Sequence, residues 1–414
     1  MSKNLPDEAA RAAVAQVLGG VASARGLDAA SDALSTTRST TSRSLFTALA
    51  VTGVTASLAW AARDIPAALG GRPTGARLER MRQSPHYRDG AFQNVVPVSI
   101  TAPRSRVPGG RGMVGEMLFG RQRRRPARPV PIVTPSAAEL AAPASTGLRA
   151  TWLGHATALV EIEGRRVLFD PVWSDRCSPS SLVGPRRLHP VPLELAALPT
   201  IDAVVISHDH YDHLDEASIR ALVRMQEAPF LVPLGVGAHL ERWGVPIERI
   251  VELDWDETAT IAGLGFTATA ARHFSGRLRS DNGTLWASWV LAGTDRKVFY
   301  TGDSGYFEGY TSIGAAHGPF DLTLIQIGAY APYWPDIHMT PEEGVAAHVA
   351  VNGGLLVPVH WGTFNLALHD WSEPVERLAK EAAETGVRYA IPRPGEAIDV
   401  DAPPAPDAWW RIVA

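Results

Sequence analysis

The sequence predicts an α+β protein of layered sheets flanked by helices, preceded by a long N-terminal extension. From residue 148 onward, short runs rich in β-branched and aromatic residues are interspersed with helical patterns and bounded by Gly, Asp or Pro. Before that point the chain is rich in Ala, Ser, Pro and Arg. The change of texture places the boundary of the main domain at residue 147.

The strand runs and helical patterns follow one another through this domain. Strands are predicted at 149–153, 158–162, 166–169, 203–207, 266–270, 287–291, 297–300, 322–327 and 355–359. Helices are predicted at 216–224, 341–351 and 374–385. The second helix follows Thr340, which forms a capping-box pattern with Glu343.

The extension divides into three predicted segments. Residues 1–43 are polar and are expected to be weakly helical at most, or disordered. Residues 44–63 form an apolar helix, which we expect either to associate with a membrane or to be buried against protein. Residues 64–146 are expected to form an irregular basic arm rich in Pro and Arg, and 147–414 to form the catalytic domain. The protein is expected to be either cytoplasmic or attached to the cytoplasmic membrane, as a peripheral or an anchored protein.

Charge is unevenly distributed between the extension and the main domain. Residues 1–146 hold 19 Lys and Arg against 9 Asp and Glu, whereas 147–414 hold 20 against 34. The acidic domain argues against nucleic acid as a partner and suits bound cations. The arm could contact an anionic surface such as phospholipid, or it could be solvated and pair with the acidic domain. Assembly as a homodimer is also left open.

Cysteine usage limits the chemistry. The single Cys177 excludes an intramolecular disulfide framework and a Cys-rich metal site, so any metal must be held by His, Asp or Glu. Cys177 lies in a polar loop and is expected to take no part in the reaction.

The run HDHYDHLD at 208–215 is the strongest chemical signal. It follows the apolar run 203–207, which predicts a buried strand. His208 and His210 lie two residues apart and can point to one side of an extended segment, whereas Asp212 and His213 can serve a second metal. Imidazole and carboxylate together suit zinc, with iron or manganese as alternatives.

Further ligands must come from later loops. His273, Asp303 and His360 each follow a predicted strand, where side chains are presented on a rigid frame. Each is a weak signal alone, but the three together follow a cluster of six His and Asp residues. The sequence therefore predicts a two-metal hydrolytic centre.

With these residues in place, the chain resembles the metallo-β-lactamase superfamily and, within it, the N-acylphosphatidylethanolamine-hydrolysing phospholipase D family. The resemblance covers roughly 147–397 and is carried by WLGHAT (152–157), FDPV (169–172), HDHYDHLD (208–215), LDWDE (253–257), TGD (301–303), IGAY (327–330) and VHWGTF (359–364). SPHYRDG at 84–90 also resembles bacterial members of the family. Residues 1–83 have no match.

The resemblance implies a four-layer αββα sandwich with the site at one edge of the two sheets. It implies one metal held by His208, His210 and His273. It implies a second metal held by Asp212, His213 and His360. Asp303 would bridge the two metals. Two zinc ions are expected, with iron or manganese as alternatives.

Other residues are assigned roles around this centre. His338 stands where the resembled family has a substrate-contacting His, and it could orient the phosphate or protonate the leaving group. Asp209 is expected to bond a ligand or the catalytic water. His155 and Asp170 are expected to support the ligands from behind, with a purely structural role as the alternative. Aromatic residues that could line an acyl groove, or else belong to the core, are Tyr330, Tyr333 and Trp334.

The expected function is hydrolysis of N-acylphosphatidylethanolamine-type phospholipids to an N-acylethanolamine and phosphatidic acid. A lactone or other ester hydrolase on the same site is one alternative. An RNA-processing nuclease is another, which the acidic domain opposes. A metal-stabilised module that binds lipid or protein without catalysis is the third.

Overall fold

The structure is a computed structural model, and it describes residues 63–99, 113–144, 147–277, 279 and 281–414. The predicted polar segment and, apart from Arg63, the predicted apolar helix at 44–63 lie outside the described residues. Of the described residues, 63–69 and 179–183 form one compact unit and the others form a second. The first unit contains helix α1 (Ile65–Ala68), and the Ser181 hydroxyl donates to the Asp64 carboxylate within it.

The second unit is built on two large sheets and one small hairpin. Its strands are β1 (Tyr87–Arg88), β2 (Ala91–Phe92), β3 (Leu148–Gly154), β4 (Thr157–Ile162), β5 (Arg165–Phe169), β6 (Ala203–Val205), β7 (Phe230–Pro233), β8 (Ile250–Leu253), β9 (Thr258–Ile261), β10 (Leu264–Thr269), β11 (Ser288–Ala292), β12 (Lys297–Tyr300), β13 (Phe320–Gln326), β14 (Gly353–Val359) and β15 (Ala397–Asp399). The sheets have the orders β15-β3-β4-β5-β6-β7-β8 and β14-β13-β12-β11-β10-β9.

Both sheets are mixed. In the seven-stranded sheet, β5 to β8 are parallel and β3 to β5 are antiparallel. In the six-stranded sheet, β12 to β14 are parallel and β9 to β12 are antiparallel. The carboxyl ends of parallel strands share one edge of a sheet, so the loops after β5, β6, β12 and β14 can carry a common site.

Helices accompany both sheets. They are α2 (Gly75–Gln83), α3 (Met113–Phe119), α4 (Ala137–Ala141), α5 (Glu216–Met225), α6 (Gly237–Arg242), α7 (Gly309–His317), α8 (Pro341–Ala350), α9 (Glu373–Thr385) and α10 (Trp410–Val413). Two 3-10 turns lie at Leu195–Ala197 and Ile247–Arg249.

Alternation along the strands separates the layers. In β6, Ala203 and Val205 belong to the apolar cluster that contains Phe266 and Trp289 of the other sheet. Val204 instead belongs to the cluster that contains Leu222 of α5. Successive strand residues point to opposite faces, so the seven-stranded sheet packs on the six-stranded sheet with one face and on helices with the other. Helices α8 and α9 cover the six-stranded sheet, which confirms the predicted αββα sandwich.

The sequence located the central elements well and the peripheral ones poorly. Each predicted strand and helix appears within two residues of its expected bounds. The strands β7, β8, β9 and β15, each three or four residues long, were not predicted. The loop helices α6 and α7 were missed as well.

From Gly70 onward, the described residues of the predicted basic arm belong to the second unit. Met81 and Phe92 are fully buried in the main core, although the segment was expected to be irregular. Arg77 pairs with Glu252 at 2.6 Å and with Glu241 at 2.7 Å. Part of the basic charge of the arm is thus neutralised by the acidic domain, which was one of the two expectations for it.

No helix within the described part of the chain is long and apolar enough to cross a lipid bilayer.

Replacing Leu168 by Ala should lower the free energy of unfolding by about 2–5 kcal/mol, since the fully buried side chain leaves a cavity between the sheet and its helices. Ile247→Ala, at a side chain 65% exposed, should change it little. Denaturant titration of both variants measures the difference; equal losses would contradict the assigned core.

Candidate metal centre

Three imidazoles form the first group of the site. His208 and His210 follow β6, and His273 follows β10. The Nε2 atom of His208 lies 2.9 Å from Nδ1 of His210, and Nε2 of His273 lies 3.3 Å from that same atom. The three rings therefore direct one nitrogen each to a common point, as the sequence predicted.

The second group is centred on the carboxylate of Asp212. Its Oδ2 lies 3.1 Å from Nε2 of His360, 3.5 Å from Nε2 of His213 and 2.8 Å from Nε2 of His155. His155 thus reaches the cluster through Asp212, in agreement with the supporting position that the sequence suggested.

Asp303 connects the two groups. Its Oδ2 lies 3.2 Å from Nε2 of His213 and 3.1 Å from Nε2 of His360. The same oxygen lies 3.9 Å from Nε2 of His208 and 3.8 Å from Nε2 of His273. A single carboxylate placed between two sets of imidazoles has the geometry of a bridging ligand.

The donor atoms fit a pair of metal ions. Oδ1 of Asp303 is buried and has no hydrogen-bond partner among the described residues, and Nε2 of His213, although 3.2 Å from Oδ2 of Asp303, does not meet hydrogen-bond geometry there. Buried polar atoms are rarely left without a partner, so such atoms converging in one cluster indicate a missing ligand. Imidazole nitrogen and carboxylate oxygen are the donors that zinc, iron and manganese share.

Burial and charge set the protonation of the cluster. Burial lowers the pKa values of His208 and His273 well below their usual range, so both are neutral. Burial also disfavours a charge on His360, but Asp303 and Asp212 outweigh it and raise the pKa of His360 to about 9. The same effect of the carboxylates raises the pKa of His213 well above its ordinary value.

Asp170 lies behind the second group, where the sequence placed it. Its carboxylate accepts from the Ser207 amide at 2.7 Å and from the Tyr300 hydroxyl at 2.5 Å, and it meets Nδ1 of His213 at 2.6 Å. A carboxylate on Nδ1 fixes the ring so that Nε2 faces the cluster.

Three residues of the site have left-handed backbone conformations. The φ angles are 51° at His155, 37° at Asp170 and 63° at His360. Such angles are uncommon for residues other than glycine, and they concentrate at functional sites. A backbone hydrogen bond helps to hold two of these residues in place, since the His360 amide donates to the His155 carbonyl at 2.8 Å.

The sequence motifs meet around His360. The Thr363 hydroxyl accepts from the His155 amide at 2.7 Å, which joins the HWGT and LGHAT motifs. A Cβ on Gly328 would lie 2.1 Å from the His360 carbonyl oxygen, so the IGAY motif needs glycine there. These short motifs thus shape the loop that carries His360.

The other predicted residues are placed differently. His338 joins the centre, with Nε2 at 3.1 Å from Oδ2 of Asp303. Asp209 turns away from the cluster, accepting from the Gly276 amide at 2.8 Å and lying 3.3 Å from His239. Successive side chains of an extended segment point to opposite sides, so the Asp209 side chain points away from the side to which His208 and His210 point.

Of the three aromatic residues that could line an acyl groove, Tyr330 and Trp334 both have their polar groups hydrogen-bonded within the fold. The Tyr330 hydroxyl donates to Glu373 at 2.7 Å, and its ring stacks on His369 with centroids 4.6 Å apart. The Trp334 indole donates to the Ala329 carbonyl at 2.8 Å. The Trp334 bond thus holds its own loop, whereas Tyr330 is buried, bonds Glu373 of α9 and contacts Arg377 as well as His369, so it is built into the fold.

Sequence reasoning missed two residues, one that bonds a supporting carboxylate and one that bonds a proposed ligand. Tyr300 bonds Asp170, and its place at the end of β12, directly before the TGD motif, was an available signal. Asn94 bonds the backbone of His273 across 179 residues, and no local pattern could have revealed that contact.

Comparison with known proteins places this geometry in a family. Residues 165–361 match the sequence model of a beta-lactamase superfamily domain. An uncharacterized protein of Mycobacterium tuberculosis is 53% identical over 375 residues, which cover 88% of this chain and 99% of that protein. The N-acyl-phosphatidylethanolamine-hydrolyzing phospholipase D 1 of Caenorhabditis elegans is 38% identical over 246 residues, covering 56% of this chain and 69% of that protein.

The chain belongs to the N-acylphosphatidylethanolamine-hydrolysing phospholipase D family of the metallo-β-lactamase superfamily. It is accordingly a metal-dependent hydrolase. The fold is shared more widely: an isothiocyanate hydrolase from Delia radicum gut bacteria has a TM-score of 0.50 and 19% identity, covering 60% of this chain and 98% of that one.

Metal binding at pH 7.5 should release protons, because His360, with a pKa of about 9, and His213 are protonated before the metal takes their Nε2 atoms. Apparent metal affinity should therefore rise with pH until about pH 9 is passed. Isothermal titration calorimetry in buffers of different ionisation enthalpy counts the protons. An enthalpy that is the same in all buffers would contradict this protonation.

Proposed function

We propose that this protein is a two-zinc phosphodiesterase that hydrolyses N-acylphosphatidylethanolamine-type phospholipids to an N-acylethanolamine and a phosphatidic acid. The observation that carries the proposal is the 38% identity to a relative named for this reaction. Asp303, which lies between two sets of imidazoles, supports it with a geometry suited to phosphodiester hydrolysis.

The proposed ligand set follows the two groups. His208, His210 and His273 would hold one ion, and Asp303 would be shared. The other ion would be held by Asp212, His213 and His360. Zinc suits these donors and brings no redox chemistry, which hydrolysis does not need. Two bound ions would lower the pKa of a shared water and offset charge on the phosphoryl oxygens.

His338 is the proposed proton donor to the leaving group. Its side chain is 14% exposed, against 2% for Asp303, so it lies on the accessible side of the cluster. The Asp303 carboxylate can only accept, so the shared hydrogen bond requires the proton on Nε2 of His338. Once the water has released a proton to solvent, its oxygen bonds to phosphorus, the P–O bond to the ethanolamine breaks and the alkoxide takes the proton of His338, which recovers one from solvent.

A lipid substrate also requires access to a membrane surface, and we propose that α3 and the arginines after it supply the contact. Met113, Met117 and Phe119 are 48%, 65% and 71% exposed. The exposed basic side chains that follow are Arg121, Arg123, Arg125 and Arg128. Exposed apolar side chains beside basic ones suit an anionic phospholipid surface.

The position of this segment supports the same proposal. Arg124, between those arginines, lines a small cavity together with His360 and Phe364. The surface therefore lies beside one wall of the metal centre, where a lipid headgroup would need to enter.

The reaction is tested with zinc-loaded protein and N-acylphosphatidylethanolamine in detergent micelles. N-acylethanolamine and phosphatidic acid should appear in equal amounts, and reaction in ¹⁸O-labelled water should place the label in phosphatidic acid, since attack is at phosphorus. Asp303→Asn should lower kcat/KM by more than about 100-fold, because losing a partner of a ligand already costs about 10–100-fold.

Asp256→Asn, at an exposed position with φ of 66° that Asn tolerates, is the matched control and should retain activity. Turnover of a lactone without any release of N-acylethanolamine would instead support the ester-hydrolase alternative. Folded, metal-loaded protein that turns over neither substrate would contradict the proposed reaction.

The membrane contact is tested by sedimentation with vesicles of phosphatidylglycerol and phosphatidylcholine. The double variant Met117→Asp, Phe119→Asp should bind at least about tenfold more weakly, since each apolar side chain contributes about 1.5–3 kcal/mol when buried. Ile247→Asp, at an equally exposed apolar position, should bind as before. Wild-type binding that does not fall at high salt would contradict the role of the arginines.

A further inference from the structure

The segment 91–99 of the extension lies against the loop that carries His273. Phe92, fully buried at the end of β2, donates its amide to the Asn282 carbonyl at 2.9 Å. Asn282 returns a bond from its side-chain nitrogen to the Phe92 carbonyl at 3.3 Å, and its Oδ1 accepts from the Ser275 amide at 3.2 Å. The segment is thereby fixed next to the residues that follow His273.

Asn94 continues this contact to the ligand itself. Its Oδ1 accepts from the His273 amide at 3.0 Å, and its Nδ2 donates to the His273 carbonyl at 2.7 Å. The amide orientation follows from the partners, because an N–H requires the oxygen and a carbonyl requires the nitrogen. One side chain therefore satisfies both backbone groups of His273, as a neighbouring strand would.

The ring of His273 is fixed from the other side. Its Nδ1 bonds the Ile337 carbonyl at 2.9 Å, which leaves Nε2 to face His210. The loop that supplies this carbonyl is also tied to the extension, because the Ser99 amide donates to the Asp336 carboxylate at 2.8 Å. On the His273 loop itself, the Arg272 guanidinium donates to the Pro97 carbonyl at 3.1 Å. Both supports of His273 thus depend on residues 94–99.

We propose that Asn94 is a positioning residue of the metal centre, which holds the backbone of His273 so that Nε2 meets the nitrogens of His208 and His210. The proposal rests on His273 being a metal ligand, and it is independent of the substrate. Removing the amide would leave two backbone groups of a fully buried residue without their partners. The loop would shift to find new ones, and the first group of imidazoles would lose its geometry.

The test measures zinc binding by competition with a chromophoric chelator, in metal-free protein reloaded with zinc. Asn94→Ala should weaken one of the two sites by about 10–100-fold, the range found for partners that orient a metal ligand. The cobalt(II)-loaded variant should show an altered d–d absorption spectrum, which loss of stability alone would not produce. Gln93→Ala is the matched control, because among the described residues its side-chain amide bonds the carbonyls of Arg88 and Ala91 and not the His273 loop.

Asn94→Asp keeps the size of the side chain and the acceptor for the His273 amide, but places an oxygen against the His273 carbonyl. Added negative charge by itself would strengthen cation binding, so a weaker site in this variant can arise only from the loop. This variant decides the matter if Asn94→Ala does not fold. Wild-type affinity and spectrum in a folded Asn94 variant, or equal losses in Gln93→Ala, would overturn the proposal. If the wild-type protein shows no phosphodiesterase activity but Asn94→Ala still weakens zinc binding, the role of Asn94 would be supported. Only the proposed reaction would then be contradicted.

Discussion

The carboxylate of Asp303 is the constraint on which the rest of the site depends. It is buried among imidazoles that approach from both sheets, at the edge where parallel strands end. A buried carboxylate is tolerated only with cations or strong donors around it. His213 and His360 supply positive charge in the metal-free protein, and bound metal ions would take over that role. The fold therefore brings the two groups of ligands to one anion.

The loops can hold these side chains close to Asp303 because the strands that precede the loops are rigid and buried where they end. The residues of β6, β12 and β14 nearest the site are wholly enclosed between layers. Backbone angles that are unfavourable for His360 and Asp170 persist because amides, hydroxyls and carbonyls on every side determine their conformation. The energy of packing in the sandwich thus stabilises a precise arrangement at its edge.

The sequence predicted what depends on local pattern. Short β-rich runs bounded by Gly, Asp or Pro predicted the central strands, and His and Asp directly after a strand predicted loop residues that the structure brings together. The motif resemblance identified the pairing of Asp303 with both groups. The orientation of Asp209, the Glu373 partner of Tyr330 and the contact of Asn94 depend on residues far apart in the chain, which no local signal reveals.

The burial of Met81 and Phe92 in the main core has a consequence for how this protein can be divided. A fragment that begins at the sequence boundary near residue 147 would contain every proposed metal ligand and most of the family motifs. Such a fragment would lack the side chains of Met81 and Phe92 and would therefore have an apolar cavity in its core. It would also lack Asn94, whose side chain bonds the backbone of His273. A fragment meant to fold and hold metal should therefore begin before Met81 rather than near residue 147.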